Sequence, residues 1–197
     1  MDMKIMFNEK YGLNRLVLQG YKTMTRRDGH KVYLDYERGR SLGYFPTLTL
    51  EEYAIRKSPY KVGDVVAVAQ SYKAMGYDPM FCPSGHEYGL GSEAGWSNKM
   101  YVSADLCKHH IKITDVRFER LQDISEDDCI KEGVYPFKDG DFDGFSFDGW
   151  MSVRVKGKRC YASDARFAFE YLIDKVSGKG TWERNPYVYV YSFTLID

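Results

Sequence analysis

Gly20-Tyr21-Lys22-Thr23-Met24-Thr25-Arg26-Arg27-Asp28 gathers one lysine, two arginines and two threonine hydroxyls into nine residues. It follows an apolar stripe, Leu13, Leu16, Val17 and Leu18, with the spacing of a helix face. Asn8 reads as the N-cap of that helix, Glu9 suits its first turn, and Gly20 is a natural stop. The expectation is a helix ending at Gly20, with Lys22 and Thr25 in the loop behind it. A second stretch, Leu121-Gln122-Asp123-Ile124-Ser125-Glu126-Asp127-Asp128-Cys129-Ile130-Lys131-Glu132-Gly133, offers Glu132 in a similar position. Ser125-x-x-Asp128 resembles a capping box and predicts a short helix to about Lys131. Together the two stretches set a cation, a hydroxyl and a carboxylate toward one pocket, which suits a polar ligand or nucleophilic chemistry.

Outward from these stretches the chain reads as short strands with few helices. Lys4–Phe7 is a short strand candidate. Residues 28–58 read as a tyrosine-rich excursion with a short helix at Leu50–Arg56. Lys61-Val62-Gly63-Asp64 is a turn signal before an apolar strand, Val65–Ala69. Residues 76–98 are loop-like; the Gly89-x-Gly91 pair lacks the preceding strand and following helix of a dinucleotide site. Ile111, Ile113 and Val116 mark a second core strand to about Glu119. Residues 137–149 read as a loop, Val153 and Val155 as a half-exposed strand, Asp164–Lys175 as a helix and Tyr187–Phe193 as a closing strand. The fold class is α+β, built on a small β-barrel or strongly curved sheet with flanking helices and long loop insertions.

The 197 residues suggest one domain, 1–197, and 44% hydrophobic residues are enough for a core. Lys plus Arg equals Asp plus Glu at 28 each, so any nucleic-acid contact must come from a local patch rather than bulk charge. Cys82, Cys107, Cys129 and Cys160 form no C-x-x-C pair or disulfide framework. No signal-peptide run occupies residues 1–20 and no apolar span is long enough for a membrane, so the expected setting is reduced and cytoplasmic. No motif calls for a cofactor. The oligomeric state is open.

The chain resembles the ASCH-domain proteins of the PUA-like superfamily, in the longer form common in phage and prophage genomes. The resemblance rests on Gly20-x-Lys22-Thr23-x-Thr25-x-Arg27, Tyr60-Lys61-Val62-Gly63-Asp64-Val65 and Ile113-Thr114-Asp115-Val116-Arg117. It continues through Glu119-Arg120-Leu121-Gln122-Asp123-Ile124-Ser125 with Glu132-Gly133, and ends at Trp182-Glu183-x-Asn185-Pro186-Tyr187-Val188. These short blocks span most of the chain, and their order and spacing carry the signal. The resemblance implies a PUA-like barrel with the helix before Gly20 against it, and RNA or modified-nucleotide binding.

It also implies a chemistry. Some small bacterial ASCH proteins remove the acetyl group from acetylcytidine with a Lys, a Thr three residues on and a distant Glu. Those positions fall on Lys22, Thr25 and Glu132, making Thr25 the nucleophile, Lys22 its activator and Glu132 the group that positions the lysine. From the residues themselves, a threonine hydroxyl needs an oriented base. Lys22 serves only if burial or neighbouring Arg26 and Arg27 lower its pKa, while a close Glu132 raises it. This chain is longer than those enzymes, with insertions at about 28–58, 73–98 and 135–160. It also has Gln70 where related long-form proteins often carry Glu.

Binding without catalysis draws on the same stretch. Lys22, Arg26, Arg27 and Lys31 form a small basic cluster suited to phosphate, with Thr23 and Gln70 as polar neighbours. Tyr21, Tyr33 and Tyr36 are candidates to stack on unpaired bases. The partner is then RNA or a nucleoside of small footprint. A third reading is an adaptor with a vestigial pocket, and in a plain structural reading Lys22 and Glu132 simply pin two loops. Two metal-like patterns are weaker. Asp139-x-Asp141-x-Asp143-Gly144 starts like a calcium loop but closes on Trp150 instead of Glu. Cys82, His86, Cys107, His109 and His110 lack zinc-knuckle spacing.

Overall fold

The computed structural model describes residues 3–82, 88–139, 142–147, 153–155, 158–160 and 164–197, with residues 137–139, 142–147, 153–155 and 158–160 described as backbone only. In chain order the elements are β1 (Lys4–Ile5), α1 (Leu13–Leu18), β2 (Met24–Asp28), α2 (His30–Ser41), α3 (Leu50–Lys57), β3 (Val65–Val68) and β4 (His110–Arg120). They continue with α4 (Glu126–Lys131), β5 (Val134–Asp139), β6 (Phe142–Phe147), β7 (Val153–Val155), β8 (Lys158–Cys160), α5 (Ala165–Ser177), α6 (Thr181–Arg184) and β9 (Tyr187–Leu195).

Five strands form one mixed sheet in the order β1-β3-β4-β9-β2. Only β1 and β3 run parallel; the other neighbours are antiparallel. The architecture is therefore α+β with flanking helices. The sheet is not closed into a barrel: β1 and β2 are its two edges, with no ladder between them among the described residues.

β4 and β9 are the long central strands, and their residues form the densest part of the core. Ile111, Ile113, Val190 and Tyr191 are all fully buried. Removing such side chains from water is worth roughly 1.5–3 kcal/mol each. β4 shifts register between Ile113 and Asp115, a β-bulge that re-aims every following side chain. Past the bulge, Val116 lies opposite Tyr191 and Phe118 opposite Tyr189, and Tyr191 and Tyr189 in turn lie opposite Thr25 and Arg27 of β2. Those residues share one face. Met24, Arg26, Asp115, Arg117 and Glu119 share the other, because side chains alternate along a strand.

Local signals explain most element ends. Thr49 and Glu52 form a reciprocal capping box on α3, Ser125 Oγ accepts from the Asp128 amide on α4, and Asp164 caps α5 through the Phe167 amide.

Four expectations need correction. The first helix starts after Gly12, at φ +67°, and Asn8 instead accepts from the Tyr11 amide in the turn before it. Thr25 is not in a loop: Met24–Asp28 is a strand because it finds the outer edge of β9. The 28–58 excursion holds the twelve-residue α2, whose buried side is only Tyr36 and Gly39. That is too little apolar surface to leave a sequence stripe. Gly39 admits the Phe45 ring where a Cβ would clash. Residues 137–149, expected to be a loop, instead supply most of the β5–β6 hairpin, in which Val134–Asp139 pairs with Phe142–Phe147. A hairpin is not the helix–loop–helix that the calcium-like motif requires, and Asp141 and Trp150 lie outside the described residues. His86 also lies outside them. Among the described residues no three His, Cys, Asp or Glu side chains converge as a metal site would, and no helix is long and apolar enough to cross a membrane.

Candidate functional site

Gly20 ends α1 at φ +74°, and the amides of Tyr21 and Lys22 both fold back onto the Leu16 carbonyl. This hook drives the Lys22 side chain inward, where it is 2% exposed. α4 meets it from the other side, with Glu132 as its C-cap residue. Gly133, at φ +101°, leaves room for Leu16 and the Lys22 stem; a Cβ there would lie 3.0 Å from Leu16 Cδ1. Lys22 Nζ then donates to Glu132 Oε2 at 2.5 Å and to the Glu132 carbonyl at 2.6 Å.

Arg26, its side chain 1% exposed, donates to the second Glu132 oxygen at 3.2 Å, to Glu119 at 2.7 Å and to Asp128 at 3.2 Å. Arg117 extends the network, donating to Asp128 at 2.7 Å and Glu119 at 3.1 Å. The result is a buried lattice in which every carboxylate serves more than one cation, as buried charges require. The sequence reading missed Glu119, Asp128 and Arg117. The signal was available: Asp115, Arg117 and Glu119 alternate along a predicted strand, so they share a face.

Burial pushes the Lys22 ammonium below its ordinary pKa; contact with Glu132 pulls it back up, and Arg27 and Arg26 push it down again. Burial alone would raise the Asp128 carboxyl, but Arg117 and then Arg26 outweigh it and hold it below its usual value.

Thr25 is 5% exposed and lies opposite Tyr191. No hydrogen bond joins it to Lys22 among the described residues, and its hydroxyl has no hydrogen-bond partner there. Lys22, Arg26 and Glu132 are thus brought into direct contact, and Thr25 is not. Thr23 is a backbone clasp: its amide donates to the Lys131 carbonyl and its carbonyl accepts from the Phe193 amide. Gln70, 4% exposed, has its side-chain oxygen buried without a partner.

Arg27 leaves the network. Its Nη2 donates to the Met6 carbonyl at 2.5 Å, and its guanidinium lies 5.5 Å from the centre of the Phe7 ring. Of the tyrosines, Tyr21 is 71% exposed. Tyr33 packs at a tilt against Tyr187 with Arg120 beside both rings, and Tyr36 is buried against Phe45 and Tyr53. Tyr21 is the one of the three free to meet a base. It borders a cleft of about 330 Å³ with Tyr135, Gln19 and Ile130.

A second cleft, about 270 Å³, opens beside the end of β2 between α5, α6 and the start of α2. Arg26, Arg27, His30 and Arg184 line it, together with the apolar Leu121, Ile173, Pro186 and Val188. Arg26 Nε, Arg27 Nε and His30 Nδ1 are all buried without a hydrogen-bond partner. Neither His30 nor Arg184 was expected at the site, although His30 lies two residues past the Gly20–Asp28 stretch and Arg184 fills the open position of Trp182-Glu183-x-Asn185.

No family model matches the chain, and comparison with curated proteins and with solved structures gives no match.

Proposed function

We propose that this is an ASCH/PUA-like protein that binds RNA or a nucleoside through the Gly20–Asp28 stretch. The observation that carries the reading is that Arg26 and Arg27, side by side on β2 with side chains on opposite faces, both border one cleft and each has a buried, unpartnered Nε–H. A buried donor without a partner costs roughly 1–3 kcal/mol, and a phosphate oxygen is the acceptor that guanidinium geometry suits best. The exposed Tyr21 supplies a stacking surface on the same stretch. Zero net charge fits a small footprint, with few phosphate contacts and a shallow salt slope.

The test is fluorescence anisotropy with short single-stranded RNA, alongside calorimetry with nucleosides and nucleotides. Arg27→Ala is expected to weaken binding at least tenfold and Tyr21→Ala severalfold. Absence of binding by the folded wild type to all of these ligands would sink the reading.

A second reading, deacylation of an acetylcytidine-like nucleoside, has one observation in its favour: burial lowers the Lys22 pKa, as a catalytic base requires. Against it, both Lys22 hydrogen bonds go to Glu132 and none to Thr25. Acetylcytidine hydrolysis by the wild type, lost in folded Thr25→Ala and Lys22→Ala, would establish it in place of simple binding.

A further inference from the structure

We propose that the cleft where the two sheet edges meet is a phosphate subsite, built by Arg27 and Lys99 with the side-chain amides of Asn8 and Asn98. It deepens the RNA or nucleoside reading, on which it rests for the source of the phosphate.

This cleft, of about 420 Å³, is separate from the one beside the end of β2, and Arg27 borders both. Asn8, Glu9, Ser97, Asn98 and Lys99 supply the rest of its polar wall. Arg27 comes from edge strand β2, Asn8 and Glu9 from the chain just past β1, and residues 97–99 from the long segment between β3 and β4.

Hydrogen-bond donors outnumber acceptors on that wall. Arg27 spends Nη2 on the Met6 carbonyl, and its guanidinium makes no other hydrogen bond among the described residues. Lys99 donates to the Phe7 carbonyl and to Glu9 Oε1 at 3.1 Å, which leaves one of its three N–H groups. Asn8 Oδ1 accepts from the Tyr11 amide, and Asn98 Oδ1 accepts from the Met100 amide at 3.0 Å. With each oxygen committed to the backbone, each Nδ2 group is the unspent end of its amide. Among the described residues the only carboxylate on this wall is that of Glu9, already shared with Lys99.

The charge has the same sign. Arg27 and Lys99 against Glu9 leave one positive charge on the wall. No carboxylate lies within ion-pair distance of Arg27 among the described residues. Burial pushes its guanidinium below the ordinary pKa, and Tyr60, Glu132 and Tyr191 restore only part of the loss. A cation withdrawn from water calls for a counter-ion, and an anion in the cleft supplies one. A phosphate presents its oxygens tetrahedrally and can meet donors from several side chains, whereas a carboxylate presents two in one plane. Ser97 and Asn98 are exposed, so the ligand enters without displacing the core.

The experiment follows the Nδ2 resonances of Asn8 and Asn98 by NMR during titration with inorganic phosphate, and separately with a short single-stranded RNA. Saturable shifts are expected with both. Asn98→Asp keeps an oxygen for the Met100 amide but replaces the spare donor with a negative charge; phosphate and RNA should each bind at least tenfold more weakly. Glu9→Gln, which removes the one acid, should tighten both severalfold. Gln19→Glu, at the cleft beside Tyr21, adds the same charge elsewhere and should leave phosphate affinity within about twofold. All variants are checked for wild-type melting. Absence of a saturable phosphate shift, or an equal loss in Asn98→Asp and Gln19→Glu, overturns the subsite. RNA binding that Asn98→Asp and Glu9→Gln leave unchanged also overturns it, and keeps the RNA reading. Phosphate binding with the expected variant effects but no RNA binding keeps the subsite and removes the RNA reading.

Discussion

Arg27, on one edge strand of the sheet, donates to the carbonyl of Met6 just past the other edge strand, at 2.5 Å. The two edges are thus close enough for one side chain to span them, although no backbone ladder joins them. A single guanidinium links sheet edges that are far apart in strand order, and the same residue lines the proposed phosphate cleft.

Arg27→Lys should not be conservative. A lysine carries three donors on one ammonium but has neither the separate Nε–H nor the planar fork of a guanidinium. Where the shorter ammonium does not remake the hydrogen bond to the Met6 carbonyl, the loss of that charge-assisted bond predicts roughly 1.5–3 kcal/mol of destabilisation in urea unfolding. RNA should bind more weakly in the fraction that remains folded.

Glu132→Gln should be among the most damaging single changes. It leaves Lys22 and Arg26 facing a neutral amide at the centre of the buried network. Breaking a buried pair from one side costs about 3–5 kcal/mol, whereas removing both partners costs far less. Denaturation of Lys22→Met, Glu132→Gln and the double variant should therefore give a large favourable coupling energy. Additive effects would show that the pair is not coupled.

The pH dependence has two windows. Asp128 has a folded pKa below its unfolded value, so below about pH 4 the unfolded chain binds the extra proton. Stability from this group is present above that range and is lost as pH falls through the folded pKa. Lys22 is also lowered on folding. Between its folded pKa and about 10.4, the unfolded chain again binds more protons, so stability rises with pH in that interval. Stability–pH curves should flatten on the acid side in Asp128→Asn and on the alkaline side in Lys22→Met.

Thr25→Val should leave stability within about 1 kcal/mol, since the shape is kept and no hydrogen bond among the described residues is lost. Any loss of ligand affinity or turnover in this variant would then report on the hydroxyl itself. A large drop in melting temperature would place Thr25 in a structural role instead.

Gly29→Ala should destabilise by roughly 1–3 kcal/mol through overpacking. A Cβ at this position would lie 2.4 Å from Phe118, whose ring is stacked on Tyr187 and cannot step aside cheaply. Thermal unfolding of this variant beside Gly20→Ala, where the space is open but φ is +74°, would separate crowding from backbone strain.

Legibility in the sequence followed locality. β4, β9, α3, α4 and α5 carry their own periodicity, caps or turn signals, and each appears close to where those signals put it. β2 does not: Met24-Thr25-Arg26-Arg27-Asp28 has no apolar alternation, and its buried arginine is made tolerable only by Glu119, Asp128 and Glu132, which lie more than ninety residues away. α2 was hidden for a related reason, since aromatic contacts with Phe45, Tyr53 and Tyr187 hold it instead of an apolar stripe. Lys22 and a carboxylate of the 121–133 stretch were legible from their places at helix ends, and the family resemblance singled out Glu132, which the structure places against Lys22. The cleft of Arg26, His30 and Arg184 joins one stretch near residue 28 to another about 155 residues later, and neither stretch alone could announce it.

The sheet order sets a sequence of assembly. β2 leaves the ribosome early, yet among the described residues its only ladder partner is β9, more than 150 residues later. β1, β3 and β4 can pair among themselves long before that. The strand bearing Thr25, Arg26 and Arg27 must therefore wait, unpaired, until Tyr187–Leu195 has been made. A nascent chain stalled before β9 would hold three strands of the sheet but leave the strand of Thr25, Arg26 and Arg27 unplaced, so the proposed site can form only after Tyr187–Leu195 has been made.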